Sequence, residues 1–256
     1  MFFTDSHCHL AMVENSSELL DRARAGGVSG IVVPGTNLGD AEGAIGVATQ
    51  NEGVWAAVGF HPHDSKDCDD AAFARIAELA KSEKVVAIGE IGLDYHYKYS
   101  PVVTQKAVFL RHLELARDLD LPVIIHNRES TGDLLDLLRS FPAGYVRGVL
   151  HSFTETADVA KELVELGFLI SFSGILTFKS AETLRAAAAS LPHDHVLIET
   201  DTPYLAPVPH RGKANEPAFV RRIAETLALL WNVSVEEVAQ STTANFEKFF
   251  RVKILR

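Results

Sequence analysis

Short apolar runs alternate with segments of helical periodicity along almost the whole chain. Eight of these runs are nearly continuous in apolar, often β-branched residues, which is typical of parallel strands covered on both faces. The predicted strands are residues 2–7, 30–34, 54–60, 85–88, 122–126, 148–151, 168–172 and 196–199.

Between the apolar runs, apolar residues recur at steps of three and four, which predicts amphipathic helices with one buried face. The predicted helices are residues 16–25, 70–80, 105–119, 133–138, 157–166, 217–230 and 234–250. Gly26, Gly27 and Gly167 stand where helices end, each just before a strand. Ser234 and Glu237 have the spacing of a capping box at the start of the last helix.

The alternation of eight strands with helices favours an α/β fold, a closed (β/α)8 TIM barrel. An open doubly wound sheet is the alternative, but the first strand is not followed by a Gly-rich phosphate-binding turn. A chain of 256 residues suits one barrel. We therefore predict a single domain over residues 1–256, with two extra C-terminal helices after the eighth strand.

Residue types that bind metals occur in five of the predicted strands or just after them. His7 and His9 are two residues apart, which places both imidazoles on one face of the first strand. The others end or follow later apolar runs; they are Glu90, His126, His151 and Asp201. Strand ends converge on one face of a barrel, so we expect the six side chains to meet. Four imidazoles and two carboxylates can hold two divalent cations.

Each of these residues alone also fits an ordinary role, such as a surface histidine or a solvated loop carboxylate, and the metal site depends on their joint occurrence. Asp5 and Asp94 could each orient an imidazole. Candidates for substrate or phosphate contacts, for which a solvated or packed role fits nearly as well, are His61, Arg128, His210, Arg211 and Lys213. The tyrosines at 95, 97, 99 and 204 could stack on bases, with packing at the rim as the default.

Charge and cysteine content narrow the class of protein. A formal net charge of −10 argues against a broad basic surface that coats nucleic acid, but bound cations would still allow a phosphate-bearing substrate. The two cysteines, Cys8 and Cys68, are most simply free thiols in a reducing cytoplasm. Neither a signal peptide nor a membrane span is predicted. We expect a cytoplasmic monomer without an obligate protein partner.

Several stretches together resemble the TatD-type metal-dependent deoxyribonucleases over essentially the whole chain. They are 5–10 (DSHCHL), 89–95 (GEIGLDY), 151–154 (HSFT), 199–207 (ETDTPYLAP) and 210–217 (HRGKANEP). Residues 170–174 (ISFSG) are similar to the bacterial YcfH-like branch of the family. Ser152 stands where many members have Cys, and Thr202 where many have Ser, but neither position is a metal ligand.

The resemblance implies an amidohydrolase-like barrel with two divalent ions. It implies that His7, His9, Glu90 and Asp201 hold one ion, and that Glu90, His126 and His151 hold the other, with Glu90 as the bridge. It also implies a magnesium-dependent 3′→5′ exonuclease acting on DNA. Imidazole-rich ligation alone suits zinc, manganese or nickel better, so the isolated protein could carry one of these. Asp201 is predicted to be ligand and general base together, and Glu90 to be the second catalytic residue.

Two alternative functions stay open. The same barrel and ligands would serve a metal-dependent hydrolase of a small amide, lactone or phosphoester. A non-enzymatic, metal-loaded binding module is the other, and a complete ligand set with a base argues against it. Serine chemistry is not supported because the chain lacks a Gly-x-Ser-x-Gly elbow. A catalytic cysteine is not expected, because Cys8 lies on the strand face opposite His7 and His9.

Overall fold

The computed structural model describes residues 1–142 and 144–254 and contains one eight-stranded parallel sheet. Each strand lies next to its neighbours in the sequence, which is the strand order of a (β/α)8 barrel. The strands are β1 (Phe3–Asp5), β2 (Val28–Pro34), β3 (Val54–Val58), β4 (Val85–Asp94), β5 (Val123–Arg128), β6 (Gly148–Leu150), β7 (Phe168–Phe172) and β8 (Val196–Ile198). All eight predicted strands and the predicted barrel are confirmed, and the doubly wound alternative is excluded because its strand order is not sequential.

Backbone hydrogen bonds join the segments that continue β1 and β8. The N–H of Asp201 donates to the carbonyl of His7 at 2.9 Å, and the N–H of His9 donates to the carbonyl of Thr202 at 2.8 Å. Cys8 and Thr202 form a parallel bridge at the same place. The first and last strands are therefore neighbours, as the predicted closure of the barrel requires.

The chain divides into two compact units. Unit 1 comprises Met1–Val32, His151–Glu165 and Leu169–Arg256, and unit 2 comprises Val33–Leu150 and Leu166–Phe168. Each unit buries large apolar side chains, whose removal from water stabilises it. Those of unit 1 include Phe3, Leu20, Phe172 and Phe246, and those of unit 2 include Ile76, Ile88, Leu93, Phe109, Leu113 and Ile124. The single domain over residues 1–256 stays a prediction, and it includes Ala143, Leu255 and Arg256, which lie outside the described residues.

Helices alternate with the strands, and two further helices follow β8. In the described ranges they are α1 (Ser16–Ala25), α2 (Leu38–Gln50), α3 (Asp70–Leu79), α4 (Val102–Asp118), α5 (Thr131–Arg139), α6 (Ala157–Glu165), α7 (Glu182–Ser190), α8 (Val220–Trp231) and α9 (Val235–Phe250). The seven predicted helices are confirmed, α1 with the predicted bounds and the other six with shifted ends, and α2 and α7 are additional to the prediction. Of the helices in residues 1–142 and 144–254, none has both the length and the apolar character of a membrane span.

The last helix, α9, begins with the predicted capping box. The Ser234 hydroxyl accepts the N–H of Glu237, and the Glu237 carboxylate accepts the N–H of Ser234 at 2.8 Å. On the buried side of α9, the Asn245 amide donates to the carbonyl of Val196 at 2.8 Å. This bond ties α9 to the first residue of β8, at the end of that strand away from Asp201.

Strand β4 is longer than predicted and runs through Glu90 to Asp94. Glu90 therefore lies inside a strand rather than after one. Two residues further on, Gly92 pairs with His126 of β5 and has φ of +142°. A Cβ atom at Gly92 would lie only 2.0 Å from the His126 carbonyl oxygen. Glycine at this position allows the close approach of the strands that carry Glu90 and His126.

Candidate metal centre

In unit 1 the structure brings together His7, His9, His151 and Asp201, termed cluster 1. The Nε2 atoms of His7 and His9 are 3.1 Å apart. Asp201 Oδ1 lies 3.4 Å from His9 Nε2 and 3.9 Å from His7 Nε2. The His151 ring stacks on the His7 ring with 3.9 Å between centroids. All four residues are buried, and ligand atoms of His7, His9 and Asp201 lie within 4.8 Å of one another.

The local backbone explains how these side chains converge. His7 and His9 alternate with Cys8, so both imidazoles lie on one side of the chain and the Cys8 thiol on the other. Asp201 has φ of +60°, in the left-handed region that few non-glycine residues adopt. Its N–H bond to His7 and a bond from the Tyr204 N–H to its own carbonyl, at 2.8 Å, hold it there. A strained residue fixed by its neighbours is common at functional sites.

In unit 2 the structure brings together His61, Glu90 and His126, termed cluster 2. Glu90 Oε1 lies 3.0 Å from His126 Nδ1 and 3.4 Å from His61 Nε2. Ligand atoms of the three residues lie within 4.8 Å of one another. Glu90 is a carboxylate with only 2% exposure, so it requires charged or donor groups beside it.

Within cluster 2, the His61 ring is placed to donate a hydrogen bond to Glu90. Its Nδ1 accepts the backbone N–H of His63 at 3.1 Å. Burial lowers the pKa of the His61 imidazole to about 4, despite the neighbouring Glu90, so the ring is neutral at pH 7. A neutral ring with Nδ1 as acceptor carries its proton on Nε2, the atom that faces Glu90. The role of His61 as a substrate contact stays a prediction, and the residue also belongs to a group whose ligand atoms could hold a metal ion.

Asp94 fixes the position of His126. Its Oδ2 atom accepts the Nε2–H of His126 at 3.1 Å and the Nε2–H of His63 at 3.0 Å. Oδ1 accepts the backbone N–H groups of His96 and Tyr97 at 3.0 and 2.9 Å. With its proton on Nε2, His126 presents the Nδ1 lone pair toward Glu90, as a metal ligand requires.

Glu199 does the same for His151. Its Oε1 atom accepts the Nδ1–H of His151 at 3.2 Å and the backbone N–H of Ser152 at 2.6 Å. Glu199 is fully buried at the end of β8. With the proton on Nδ1, the lone pair of His151 lies on Nε2, the atom that could bind a metal ion.

Two site carboxylates are held in the ionised form by their partners. Burial raises the pKa of Asp201, but the hydrogen bond from His9 and the charges of His151, His9 and His7 outweigh it, so the pKa lies below its ordinary value. Burial likewise raises the pKa of Asp94, while hydrogen bonds from His126, His63 and the Tyr97 N–H lower it well below the usual range. Ionised Asp201 can act as a ligand or a base.

Asp5 holds the backbone of the site. Its carboxyl group accepts the N–H of His7 at 3.3 Å, the N–H of Thr200 at 2.9 Å and the Thr200 hydroxyl at 2.5 Å. Burial raises the pKa of Asp5 to about 8, although the Thr200 bonds lower it. Through these bonds Asp5 links the chain just before His7 to the chain just before Asp201.

The other predicted substrate residues are distributed differently. Arg128 lies over the Tyr97 ring, 4.8 Å from its centroid. In the loop after β8, His210 stacks on Phe219 at 3.8 Å and the Arg211 guanidinium lies 4.3 Å from the centroid of Phe178. Lys213 is exposed. Among the described residues, no hydrogen bond or ion pair joins His210, Arg211 or Lys213 to cluster 1 or cluster 2.

Cluster 1 has the donor chemistry of a divalent-metal site. The Nε2 atoms of His7 and His9 lie 3.1 Å apart beside the Asp201 carboxylate, so the three groups can share either a proton or a divalent cation. Imidazole nitrogens with carboxylate oxygens are the ligands of zinc and related divalent ions. Carboxylates bonded to the remote nitrogens of His126 and His151 are typical partners of metal-binding imidazoles.

Comparison with known proteins places this barrel among the metal-dependent hydrolases. The family model described as "TatD related DNase" matches residues 4–251. The metal-dependent hydrolase YcfH of Escherichia coli K12 is 44% identical over 262 residues, covering 100% of this chain and 98% of that protein. The 3′-5′ ssDNA/RNA exonuclease TatD of Cronobacter sakazakii is 36% identical, covering 91% and 90%. The crystal structure of YjjV, a TatD homologue from E. coli K12, has a TM-score of 0.91 at 30% identity and covers 98% of both chains. The chain belongs to the TatD family.

Two features of the site are not predicted from the sequence. No role is predicted for Glu199, although a carboxylate directly after the apolar run of β8 is a signal for a strand-end role. The proton position of His61 depends on the fold of the His-Pro-His segment, which the residue types alone do not reveal.

Proposed function

We propose that this protein is a divalent-metal-dependent nuclease that hydrolyses phosphodiester bonds of DNA from the 3′ end of a single strand. Cluster 1 carries the proposal, because it places an ionised carboxylate beside buried imidazoles that can hold a cation. Support for nucleic acid as the substrate comes from the relative named a 3′-5′ ssDNA/RNA exonuclease.

We assign the ligands of two ions. His7, His9, Glu90 and Asp201 would hold the first ion, and Glu90, His126 and His151 the second, with Glu90 shared. The sequential strand order supports this assignment, because the carboxyl ends of all strands in such a barrel face the same side. When bound, the divalent ions would supply Lewis-acid stabilisation of the phosphate and lower the pKa of a coordinated water.

The side chains of the site have distinct tasks in this reaction. Asp201 takes a proton from the attacking water while the bond from phosphorus to the leaving 3′ oxygen breaks. The 3′ oxygen takes up a proton from solvent and leaves as a hydroxyl group. The neutral His61 ring donates its Nε2–H to a non-bridging phosphate oxygen, as it does to Glu90 without substrate. Asp94 and Glu199 keep the His126 and His151 rings in one orientation.

The test uses single-stranded DNA labelled at its 5′ end and protein that is stripped of metal and refilled separately with magnesium, manganese or zinc. We expect metal-dependent, stepwise shortening from the 3′ end. Asp201→Asn and Glu90→Gln should abolish it while the circular dichroism spectrum stays unchanged. Asp194→Asn, which changes an exposed carboxylate beside His195, is the matched control and should retain full activity.

Two outcomes would overturn the proposal. Near-wild-type cleavage by Asp201→Asn or Glu90→Gln would remove their catalytic roles. Failure to cleave DNA or RNA with any metal, in protein that binds the ions, would exclude the nuclease. Turnover of esters, amides or lactones in a parallel panel would then identify the small-substrate alternative.

A further inference from the structure

The loop after β4 presents two exposed tyrosines that the proposed chemistry does not use. Tyr97 and Tyr99 are 45% and 58% exposed, and their rings stack with 5.3 Å between centroids at an angle of 16°. In the described part of the chain neither hydroxyl makes a hydrogen bond, in contrast to the nearby Tyr95, whose hydroxyl donates to Asp133 at 2.6 Å. Packing and hydrogen bonding within the chain therefore leave much of both rings exposed to solvent.

The same tyrosines are fixed to cluster 2 through His63 and Asp94. The His63 ring meets Tyr97 and Tyr99 edge to face, with centroids 5.4 and 4.8 Å apart. His63 donates its Nε2–H to Asp94 Oδ2, the atom that also holds His126. Asp94 Oδ1 accepts the Tyr97 N–H as well. One buried carboxylate thus sets the place of both the tyrosine pair and a proposed metal ligand.

Positive charge lies beside the tyrosines although the chain as a whole is acidic. The Arg128 guanidinium lies over Tyr97, and Arg128 follows His126 by two residues on β5. Lys98 stands between the tyrosines in the loop and is exposed. Stacked aromatic rings with an adjoining cation are the arrangement by which proteins hold single-stranded nucleic acid, since every base has a face that can stack and every link a phosphate.

We propose that Tyr97 and Tyr99, termed the tyrosine platform, stack on a nucleobase next to the scissile phosphate, while Arg128 pairs with a neighbouring phosphate. This inference rests on the proposed function and adds a binding subsite to it. The platform reads no hydrogen-bond pattern of the base, so it accepts any sequence. It favours single strands, because the bases of a duplex already stack on one another.

Unit 2 contains a matched control pair. Phe141 and Tyr145 stack at 4.3 Å and 18°, and the Arg117 guanidinium lies 5.0 Å from the Tyr145 centroid. This pair has the same chemistry but precedes β6, at the opposite strand end from the clusters. Tyr145→Leu removes a stacked aromatic ring beside an arginine without touching the platform.

The test compares wild type, the doubly substituted Tyr97→Leu/Tyr99→Leu and Tyr97→Phe/Tyr99→Phe proteins, and Tyr145→Leu. The measured quantities are kcat/KM for single-stranded DNA and, in the Asp201→Asn background, the Kd from fluorescence anisotropy. Substrates carry one abasic site at successive positions from the 3′ end. We expect the leucine pair to lose roughly 5- to 150-fold in affinity and kcat/KM, and the phenylalanine pair and Tyr145→Leu to stay near wild type. When the abasic site replaces the base that stacks on the platform, wild type and the leucine pair should bind the substrate equally, because that stacking is already lost.

The outcomes separate the platform from the proposed function. Equal binding and cleavage by wild type and the leucine pair would overturn the platform and leave the nuclease standing. The platform would also be overturned if the leucine pair lost the same affinity and kcat/KM at every abasic position, because the tyrosines would then act on cluster 2 and not on a base. Tyrosine-dependent binding without cleavage by any metal-loaded form would uphold the platform and refute the nuclease. Wild-type protein that does not bind single-stranded DNA would overturn the platform outright.

Discussion

The carboxylate of Glu199 accepts the Nδ1–H of His151 at 3.2 Å, and both side chains are buried. This bond sets the tautomer and the orientation of the imidazole at the end of β6. In unit 2, Asp94 does the same for His126 but through the other ring nitrogen, Nε2. Two imidazoles of the proposed ligand set therefore each have their own acidic partner, and the effect of removing either partner can be measured.

Glu199→Gln should weaken metal binding by about 10- to 100-fold, because an amide accepts the His151 proton less strongly than a carboxylate does. The affinity is measured by competition with a chromophoric chelator. Asp194→Asn is the control, since Asp194 also bonds to an imidazole Nδ1, that of His195, but on the surface. Equal affinity in Glu199→Gln and wild type would show that Glu199 does not support a metal ligand.

We expect two ions per chain in wild type, one in His9→Ala, one in His126→Ala and none in the doubly substituted protein. The physical reason is that His9 belongs to cluster 1 and His126 to cluster 2, so each substitution removes a nitrogen donor from one proposed ion. Elemental analysis after gel filtration gives the stoichiometry, with His195→Ala, at a half-buried imidazole outside both clusters, as the control. Loss of all metal from either single variant would contradict two separable positions.

Gly92→Ala should destabilise the fold by more than about 3 kcal/mol, since φ of +142° is unsuitable for alanine and its Cβ would lie 2.0 Å from the His126 carbonyl oxygen. Gly46→Ala is the matched control. Gly46 lies inside α2 with no atom near its Cβ position, so alanine there should stabilise by about 0.5–1 kcal/mol. Denaturant unfolding measures both, and a Gly92→Ala protein as stable as wild type would refute the packing argument.

His112 gives a pH dependence of stability that does not involve the clusters. It is buried in α4, donates Nδ1–H to the Val108 carbonyl at 2.8 Å and packs on Phe73. Burial lowers the pKa of His112 from 6.5 to about 4, against the effect of the Val108 bond. Between these pH values the unfolded chain binds one more proton than the folded chain, so stability falls as the pH falls, by about 1.4 kcal/mol per unit at most.

His112→Leu should remove this contribution and flatten the slope of the unfolding free energy between about pH 4.5 and 6.5. Metal-free protein is used, so that loss of ions does not contribute. The same comparison at pH 8, where the imidazole is neutral in both states, reports the change in packing alone. Identical slopes in wild type and variant would mean that His112 is protonated in the folded protein.

The strand pattern was predictable because each parallel strand is buried on both faces and therefore forms an apolar run. The helices α2 and α7 escaped prediction because small residues form their buried faces. Those of α2 are Ala41, Ala44 and Ala48, and α7 buries Ala187 and Ala188 beside Leu184. Alanine gives little periodic contrast against polar neighbours, although it packs well under a sheet.

The extension of β4 through Glu90 escaped prediction for a different reason. A charged residue ends an apolar run in the sequence, but the backbone continues in the sheet because β5 pairs with it as far as Asp94. Tertiary pairing thus overrode the local pattern. The candidate metal ligands were predictable from residue type and from their positions near strand ends. The partners of Glu199 and the tautomer of His61 were not, because they depend on three-dimensional contacts.

The bond between the Asp201 N–H and the His7 carbonyl, at 2.9 Å, joins two positions 194 residues apart, as the difference of their numbers gives. During synthesis, all of cluster 2 has been made by residue 126, while cluster 1 lacks Asp201 until residue 201 of 256 has been added. Chains are made from the N-terminus, and domains fold as they become complete. A chain that has reached residue 126 carries His7 and His9 but still lacks His151 and Asp201. Cluster 1 can therefore be completed only after β8 has been made, so a cation that needs the Asp201 carboxylate can bind only to a nearly complete chain.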